Sequence, residues 1–490
     1  MYNGGGVGVA DLNQDGLQDL IFSGNQVESK VYLNQGDFQF QDISQQLAGL
    51  SNEQWFSGVN IVDINGDELP DIYLTSTTSK VPALRKNRLW VNQGMDEAGL
   101  PRFTEQAEAY GIADEGYSVH SAFLDYDLDG DLDLYILNNI VNEEIPTNYR
   151  DKIADGSAVN NDRFYRNNGD GTFSDVTVEA GIVYEGFGLG IAVGDVNKDG
   201  YPDLYISNDY ISNDLLYLNQ QDGSFANASE EFLPYQSKFS MGNDMVDVNN
   251  DGNPEVITLD MLPEVYSRKK KNINGNSYYF YVNDDRYGYQ HQYMRNMLHL
   301  HNGFHGDEML PFSEVGQLTG VYQTEWSWSP LFADYDNDGD RDLMITNGFP
   351  KDLTDKDFTN YKAQVHGYVA SDQQVIRQIP IVKVPNYGYE NVGDLRFEDR
   401  TEEWGLNVPS FSNGAAFADL DNDGDLDYVV NNIDEQAYVY QNRSEEFDPV
   451  YHLRIQLKGK APNTQALGAK VEIWTPAGYQ PWSRRRPRAW

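Results

Sequence analysis

The chain has 490 residues, 40 % of them apolar, no cysteine, and a formal net charge of −42. That length and apolar share support a sizeable packed core; no apolar run is long enough to cross a membrane, and no basic start followed by an apolar stretch reads as a signal peptide. So acidic a chain is a poor partner for nucleic acid, whose binding rests on neutralisation of phosphates by Lys and Arg.

In chain order, an acidic pattern D-x-[D/N]-x-D-G-x-x-[D/E] recurs seven times, each time followed at once by an apolar strand. Loop 1 offers Asp11, Asn13, Asp15 and Asp19 around Gly16. Loop 2 offers Asp63, Asn65, Asp67 and Asp71, with Glu68 where the glycine is expected. Loop 3 is all acid at its odd positions: Asp125, Asp127, Asp129, Asp131 and Asp133. Loop 4 has Asp195, Asn197, Asp199 and Asp203, and loop 5 has Asp247, Asn249, Asp251 and Glu255. Loops 6 (Asp334, Asp336, Asp338, Asp340, Asp342) and 7 (Asp419, Asp421, Asp423, Asp425, Asp427) repeat the all-acid form.

Oxygen ligands at positions 1, 3, 5 and 9, with a glycine at 6 for a tight turn, suit a hard cation such as calcium. The expectation is therefore up to seven structural Ca2+ ions, with loop 2 the weakest because only glycine takes left-handed angles freely. An EF-hand is excluded: position 12, where it needs a bidentate Glu, holds Phe22, Leu74, Ile136, Ile206, Thr258, Ile345 and Val430. The loops join strands instead. Their odd positions carry 27 acidic residues, whose mutual repulsion makes ion-free turns costly.

Each repeat has four strand signals, A to D. Strand A precedes the loop (Gly188-Leu-Gly-Ile-Ala-Val-Gly-Asp195), and B follows it (Asp203-Leu-Tyr-Ile206). Strand C is exemplified by Val31–Gly36, Arg163–Gly169 and Leu215–Asn219, and D by Phe38–Ile43, Phe173–Thr177 and Phe397–Thr401. Seven such units predict an all-β fold, a seven-bladed β-propeller over residues 1–445, with no evident strand D in blade 7. The loops and the aromatic-Gly strand before them resemble the FG-GAP or VCBS repeats of integrin α-subunit propellers and bacterial surface proteins. A short β-rich module follows at 450–480, where His452–Ile473 resembles the opening of an ASPIC/UnbV domain. The pairing is similar to the cartilage acidic protein 1-like family. A basic tail, 481–490, ends the chain, and both ends read as truncations of a longer parent. A missing strand of blade 7 would then lie upstream of Met1.

Loop-to-loop spacings of 52, 62, 70, 52, 87 and 85 residues exceed a bare blade, and the surplus falls between strands B and C of blades 3 (138–162), 5 (260–294) and 6 (347–385). A–B turns all lie on one face of a propeller and B–C connections on the other, so the inserts should crown the face opposite the acidic loops and form the binding side. The blade 5 insert carries Arg268-Lys-Lys-Lys271 and Tyr278, Tyr279, Tyr281, Tyr287, Tyr289 and Tyr293, suited to a glycan or protein surface or simply to packing the insert. An aromatic stands eight residues before the loop in six repeats (Trp55, Tyr117, Phe187, Phe239, Trp326, Phe411), as a ligand platform at the channel mouth or as packing between blades; repeat 1 has Asn3 there. His291, His299, His301 and His305 cluster in sequence, yet Leu298–Gly303 aligns with an ordinary strand C. No nucleophile elbow, phosphate loop or zinc-protease helix is present, so no catalytic residue is assigned.

The expectation is a calcium-binding propeller, extracellular or on the cell surface, that binds a glycan or protein ligand on its insert face. The alternatives are a polysaccharide-active enzyme with its site in the inserts, and a structural spacer of a larger surface protein.

Overall fold

In a computed structural model, each acidic loop joins the first two strands of a small antiparallel sheet. The structure describes residues 4–49, 53–141, 146–272, 276–365, 371–446, 452–475 and 478–483; the expectations for Asn3 and for 484–490 of the basic tail lie outside these. Seven sheets follow one another in chain order, forming the blades of an all-β propeller. Blade 4 illustrates the plan: Gly188–Gly194, Asp203–Asn208, Leu215–Asn219 and Phe225–Asn227, paired in sequence. Six blades have four strands; blade 7 has Ser412–Ala418, Asp427–Asn432 and Tyr438–Tyr440 among the described residues.

The inner strands line a channel of about 1370 Å³, with Val9, Ile61, Phe123, Ile191, Val246 and Phe417 among its walls. They converge there so closely that glycine is required. A Cβ at Gly242 would collide with the Trp328 carbonyl, and one at Gly58 would meet the His120 ring at 2.6 Å. This is the physical reason for the small, glycine-rich strand A.

The core is not one mass but a set of apolar seams between consecutive blades. Val62, Leu89, Phe123 and Leu134 fill the seam of blades 2 and 3, and Leu124, Tyr135, Ile191 and Tyr217 that of 3 and 4. Val7, Val9, Ala416 and Val429 form the seam of blades 7 and 1, which closes the ring. Burial of each Val, Leu, Ile or Phe among them contributes roughly 1.5–3 kcal/mol. At this closure Gly4 N donates to Asn413 Oδ1 (3.1 Å), and Gly414 N to the Gly5 carbonyl (3.2 Å). The ring thus closes by packing and by hydrogen bonds from both backbone and side chains.

The long B–C connections fold as inserts. Blade 5 supplies helices Tyr266–Lys271 and Tyr278–Tyr287, and blade 6 supplies Lys356–Val365 and Asp372–Ile376. The C-terminal segment ends in a hairpin, Lys470–Thr475 with Gly478–Ser483.

Candidate metal centre

Every acidic loop has the same backbone. Position 4 is left-handed (φ 57–62° at Gln14, Leu128, Lys198, Asn250, Asn337 and Asn422), and position 6 is a glycine at φ 85–102° in six loops. Loop 2 exchanges the pair: Gly66 takes position 4 at φ 73°, and Glu68 takes position 6 at φ 69°. Its fold survives the substitution because Glu68 needs only ordinary left-handed angles, which cost about 1–2 kcal/mol for a residue with a Cβ. The compensating Gly66 is visible in the sequence.

The loops fall into two chemical types. In loops 1, 2, 4 and 5, position 3 is Asn, and its Nδ2 donates to the position 5 Asp at 2.9–3.1 Å. The position 1 Asp accepts backbone N–H groups on both oxygens: Asp11 from Asp15 and Gly16, Asp195 from Asp199 and Gly200, and Asp247 from Asp251 and Gly252. Positions 1, 3 and 5 of these loops are thus tied up within the loop. In loops 3, 6 and 7 an Asp at position 3 has no amide to give. Oxygens of Asp125, Asp127 and Asp129, of Asp334, Asp336 and Asp338, and of Asp419, Asp421 and Asp423 then converge within 4.8 Å. In each of these clusters Oδ1 of the first Asp (Asp125, Asp334, Asp419) is buried without a hydrogen-bond partner. Burial foremost, then the neighbouring carboxylates, raise Asp336 to about 6. A buried acceptor that accepts nothing costs free energy, and three converging carboxylates repel one another.

Position 9 does something different. Asp19 accepts from Leu12 N (2.7 Å) and Asn34 N (2.8 Å), and Asp203 accepts from Val196 N and Asn219 N (both 2.9 Å). The same pair of bonds recurs at Asp71, Asp133, Glu255, Asp342 and Asp427. Each of the seven carboxyls pins the loop to strand C, and burial raises them to between about 7 and about 9. Each oxygen keeps a second lone pair.

From strand C a second latch reaches the neighbouring blade. Asn34 Nδ2 donates to the Leu420 carbonyl (2.7 Å), Asn92 to Leu12, Asn219 to Tyr126, Asn391 to Val248 and Asn442 to Tyr335. In blade 5 this residue is His301: its Nε2 lies 3.0 Å from the Val196 carbonyl, and its Nδ1 accepts from Gly303 N. His299 is fully buried in the neighbouring seam beside Tyr205. The two histidines on one strand face are thus structural.

On the opposite face the three inserts pack together. Tyr149 of blade 3 hydrogen-bonds Asp284 of the blade 5 helix, and Lys238 lies 5.1–5.3 Å from the Phe280 and Tyr149 rings. Arg268 pairs with Glu325 (2.9 Å) and Asp352 (2.6 Å), and Lys271 with Asp357 (3.1 Å). Two members of the predicted basic run are therefore bound within the inserts. Tyr289 is buried, whereas Tyr266, Tyr278 and Tyr279 are 72 %, 81 % and 66 % exposed. Of the predicted aromatic ring, Phe187, Phe239 and Phe411 are buried, Trp326 packs on Phe349 (4.8 Å between centroids), and the Arg85 guanidinium lies 4.0 Å over Tyr117. Trp55 is half-buried and bridges to Asn25. Packing accounts for these positions. No helix among the described residues is long and apolar enough to cross a membrane.

The FG-GAP-like repeat family matches residues 11–74, 153–206 and 195–258. These segments end at Leu74, Ile206 and Thr258, the twelfth residue of loops 2, 4 and 5, and two of them begin at the first Asp of a loop. The chain is a seven-bladed β-propeller that carries FG-GAP-like repeats. No curated protein matches it. Among solved structures, the propeller is similar to an Agrocybe aegerita lectin that recognises non-reducing terminal N-acetylglucosamine, at 14 % identity over 90 % of this chain and 94 % of that one, with a TM-score of 0.42. It is also similar to a putative gluconolactonase (11 % identity, 71 % and 87 % covered, TM-score 0.34) and to AofleA from Arthrobotrys oligospora (8 % identity, 81 % and 86 % covered, TM-score 0.38).

Proposed function

We propose that this FG-GAP propeller is a calcium-stabilised binding module that works outside the cell or on its surface and takes a glycan or protein ligand on its insert face. The observation that carries the calcium reading is the buried, unpartnered Oδ1 at the head of loops 3, 6 and 7, within a cluster of three carboxylates. A hard divalent cation supplies what those oxygens lack: charge and a ligand-accepting centre. Positions 1, 3 and 5 would hold it, and the free lone pairs at position 9 offer a further oxygen. Loops 1, 4 and 5 present the same oxygens at lower charge and bind more weakly, because their Asn amide already serves the position 5 carboxylate. When bound, the ion ties the A–B turn and cancels repulsion, so its role is structural and its binding adds to folding stability.

The ligand reading draws on the exposed Tyr266, Tyr278 and Tyr279, rigid aromatic surfaces with a polar tip, on the crown of inserts. The buried acids Glu325, Asp352 and Asp284 of that crown are engaged by Arg268 and Tyr149, which favours binding over acid–base catalysis there. Two measurements test the proposal. Thermal unfolding with calcium and with chelator, with bound calcium counted in the same sample, should give three tight ions and a clear rise in Tm; no bound ion and no shift would refute the calcium role. Glycan-array binding should be lost in Tyr278→Ala/Tyr279→Ala with Tm unchanged; equal binding would move the ligand site elsewhere.

A further inference from the structure

The acidic-loop face is covered by the chain's own C-terminal segment. Residues 452–470 hold four cations, Arg454, Lys458, Lys460 and Lys470, and no acid, in a protein of net charge −42. They run from blade 7 to blades 2 and 3. His452 sits against Gly424 of loop 7, where any Cβ would overlap the imidazole. Arg454 donates to Asn422 Oδ1 at 2.8 Å. Lys458 pairs with Glu68 at 2.7 Å. Pro462 lies over Gly66, 3.2 Å from where a Cβ would stand. The Thr464 hydroxyl donates to Asp63 Oδ2, and Thr464 is buried. Leu467 packs on the apolar seam of blades 2 and 3. Ile455, Gln456, Leu467 and Lys470 also line the channel.

These contacts explain why loop 2 departs from its six siblings. Its position 1 carboxylate already accepts the amides of Gly66, Asp67 and Glu68 as well as the Thr464 hydroxyl. Its unusual Glu68 meets Lys458, where a glycine would offer no charge. We propose that loop 2 anchors the basic segment 452–470 in place of a metal ion, and that this strap closes the loop-face mouth of the channel. Loops 7 and 2 of this face thus hold the strap as a resident ligand. This does not depend on whether loops 3, 6 and 7 hold calcium.

Hydrogen exchange of the full chain tests it. The amides of Gly459 and Leu467, which bond to the Thr464 carbonyl and Asn463 Oδ1 within the strap, should exchange at least about tenfold slower than their intrinsic rates. Thr464→Val keeps the shape and removes the donor to a carboxylate, and should speed exchange across 457–469 by about tenfold or more while blade amides stay protected. The exposed pair Lys458–Glu68 is worth less: Lys458→Glu should speed exchange by up to about fivefold, and adding Glu68→Lys should reverse it. Asp63→Ala should release the strap with the calcium count unchanged. Unprotected strap amides in the natural chain, no response to Thr464→Val, or loss of one calcium in Asp63→Ala would each overturn the proposal. Blade amides that lose protection in a variant would show unfolding, and the charge swap then decides.

Discussion

At position 3 of an acidic loop, Asn donates a hydrogen bond to its neighbour, whereas Asp adds a negative charge. Asp336→Asn should therefore convert loop 6 to the internally bonded form. In chelator its Tm should rise, while calcium affinity at that loop falls; titration calorimetry beside a melting curve reads both, and a fall in both would contradict the two-type division. Asp129→Ala, Asp338→Ala and Asp423→Ala should each remove about one bound calcium. A second residue pair works at the far end of strand B. Asp162 accepts from Tyr135 OH and Asn138 N, both at 2.8 Å, and Asp214 does the same for Tyr205 and Asn208. Asn87 fills this place in blade 2, bonding Ser76 N and Tyr73 OH. Burial raises Asp162 to about 7, so the folded chain keeps a proton there that the unfolded chain releases near pH 4. Stability contributed by the protonated form is therefore lost as pH rises from about 4 to about 7. Asp162→Asn should flatten this fall, gaining about 1–3 kcal/mol at pH 8 relative to pH 5 in urea titrations. An unchanged slope would mean Asp162 is ionised in the fold.

The blade is legible because its signals are local. Loop positions, the strand that follows and the C–D turn recur at fixed offsets, so the first three strands of blade 4 appear in the sequence to within a residue or two. The face that each connection occupies follows from counting turns. The roles of position 9 and of His301 were not legible, because both are defined by partners 105 residues away or across a sheet. A histidine aligned with Asn219 and Asn391 carries the one available hint, since imidazole and carboxamide both present a donor at that reach. His301→Ala should cost about 1–3 kcal/mol by leaving the Val196 carbonyl unpaired, and His301→Asn should recover most of it; chemical denaturation measures the pair. Equal losses in both variants would show that ring packing on Phe312 (5.0 Å between centroids), rather than the latch, is what His301 contributes. The strap across the loops was beyond the sequence for the same reason: nothing local in Lys458 or Thr464 points to Glu68 or Asp63.

For the whole molecule, charge and closure dominate. With calcium removed, raising NaCl from about 0.01 to 1 M shortens the screening length from about 30 to 3 Å and should raise Tm by several degrees, because the −42 chain repels itself. With calcium bound the same salt series should be flatter. Equal salt responses in both states would separate the ions from the charge balance. The latches from strand C to the preceding loop have a mechanical consequence. A load applied to one blade is handed to the next through a carboxamide, as in Asn34 to Leu420 across the ring closure and Asn442 to Tyr335 before it. Pulled apart by its ends, such a ring should give way at one seam rather than by unravelling strand after strand, which single-molecule stretching would read as one large force peak.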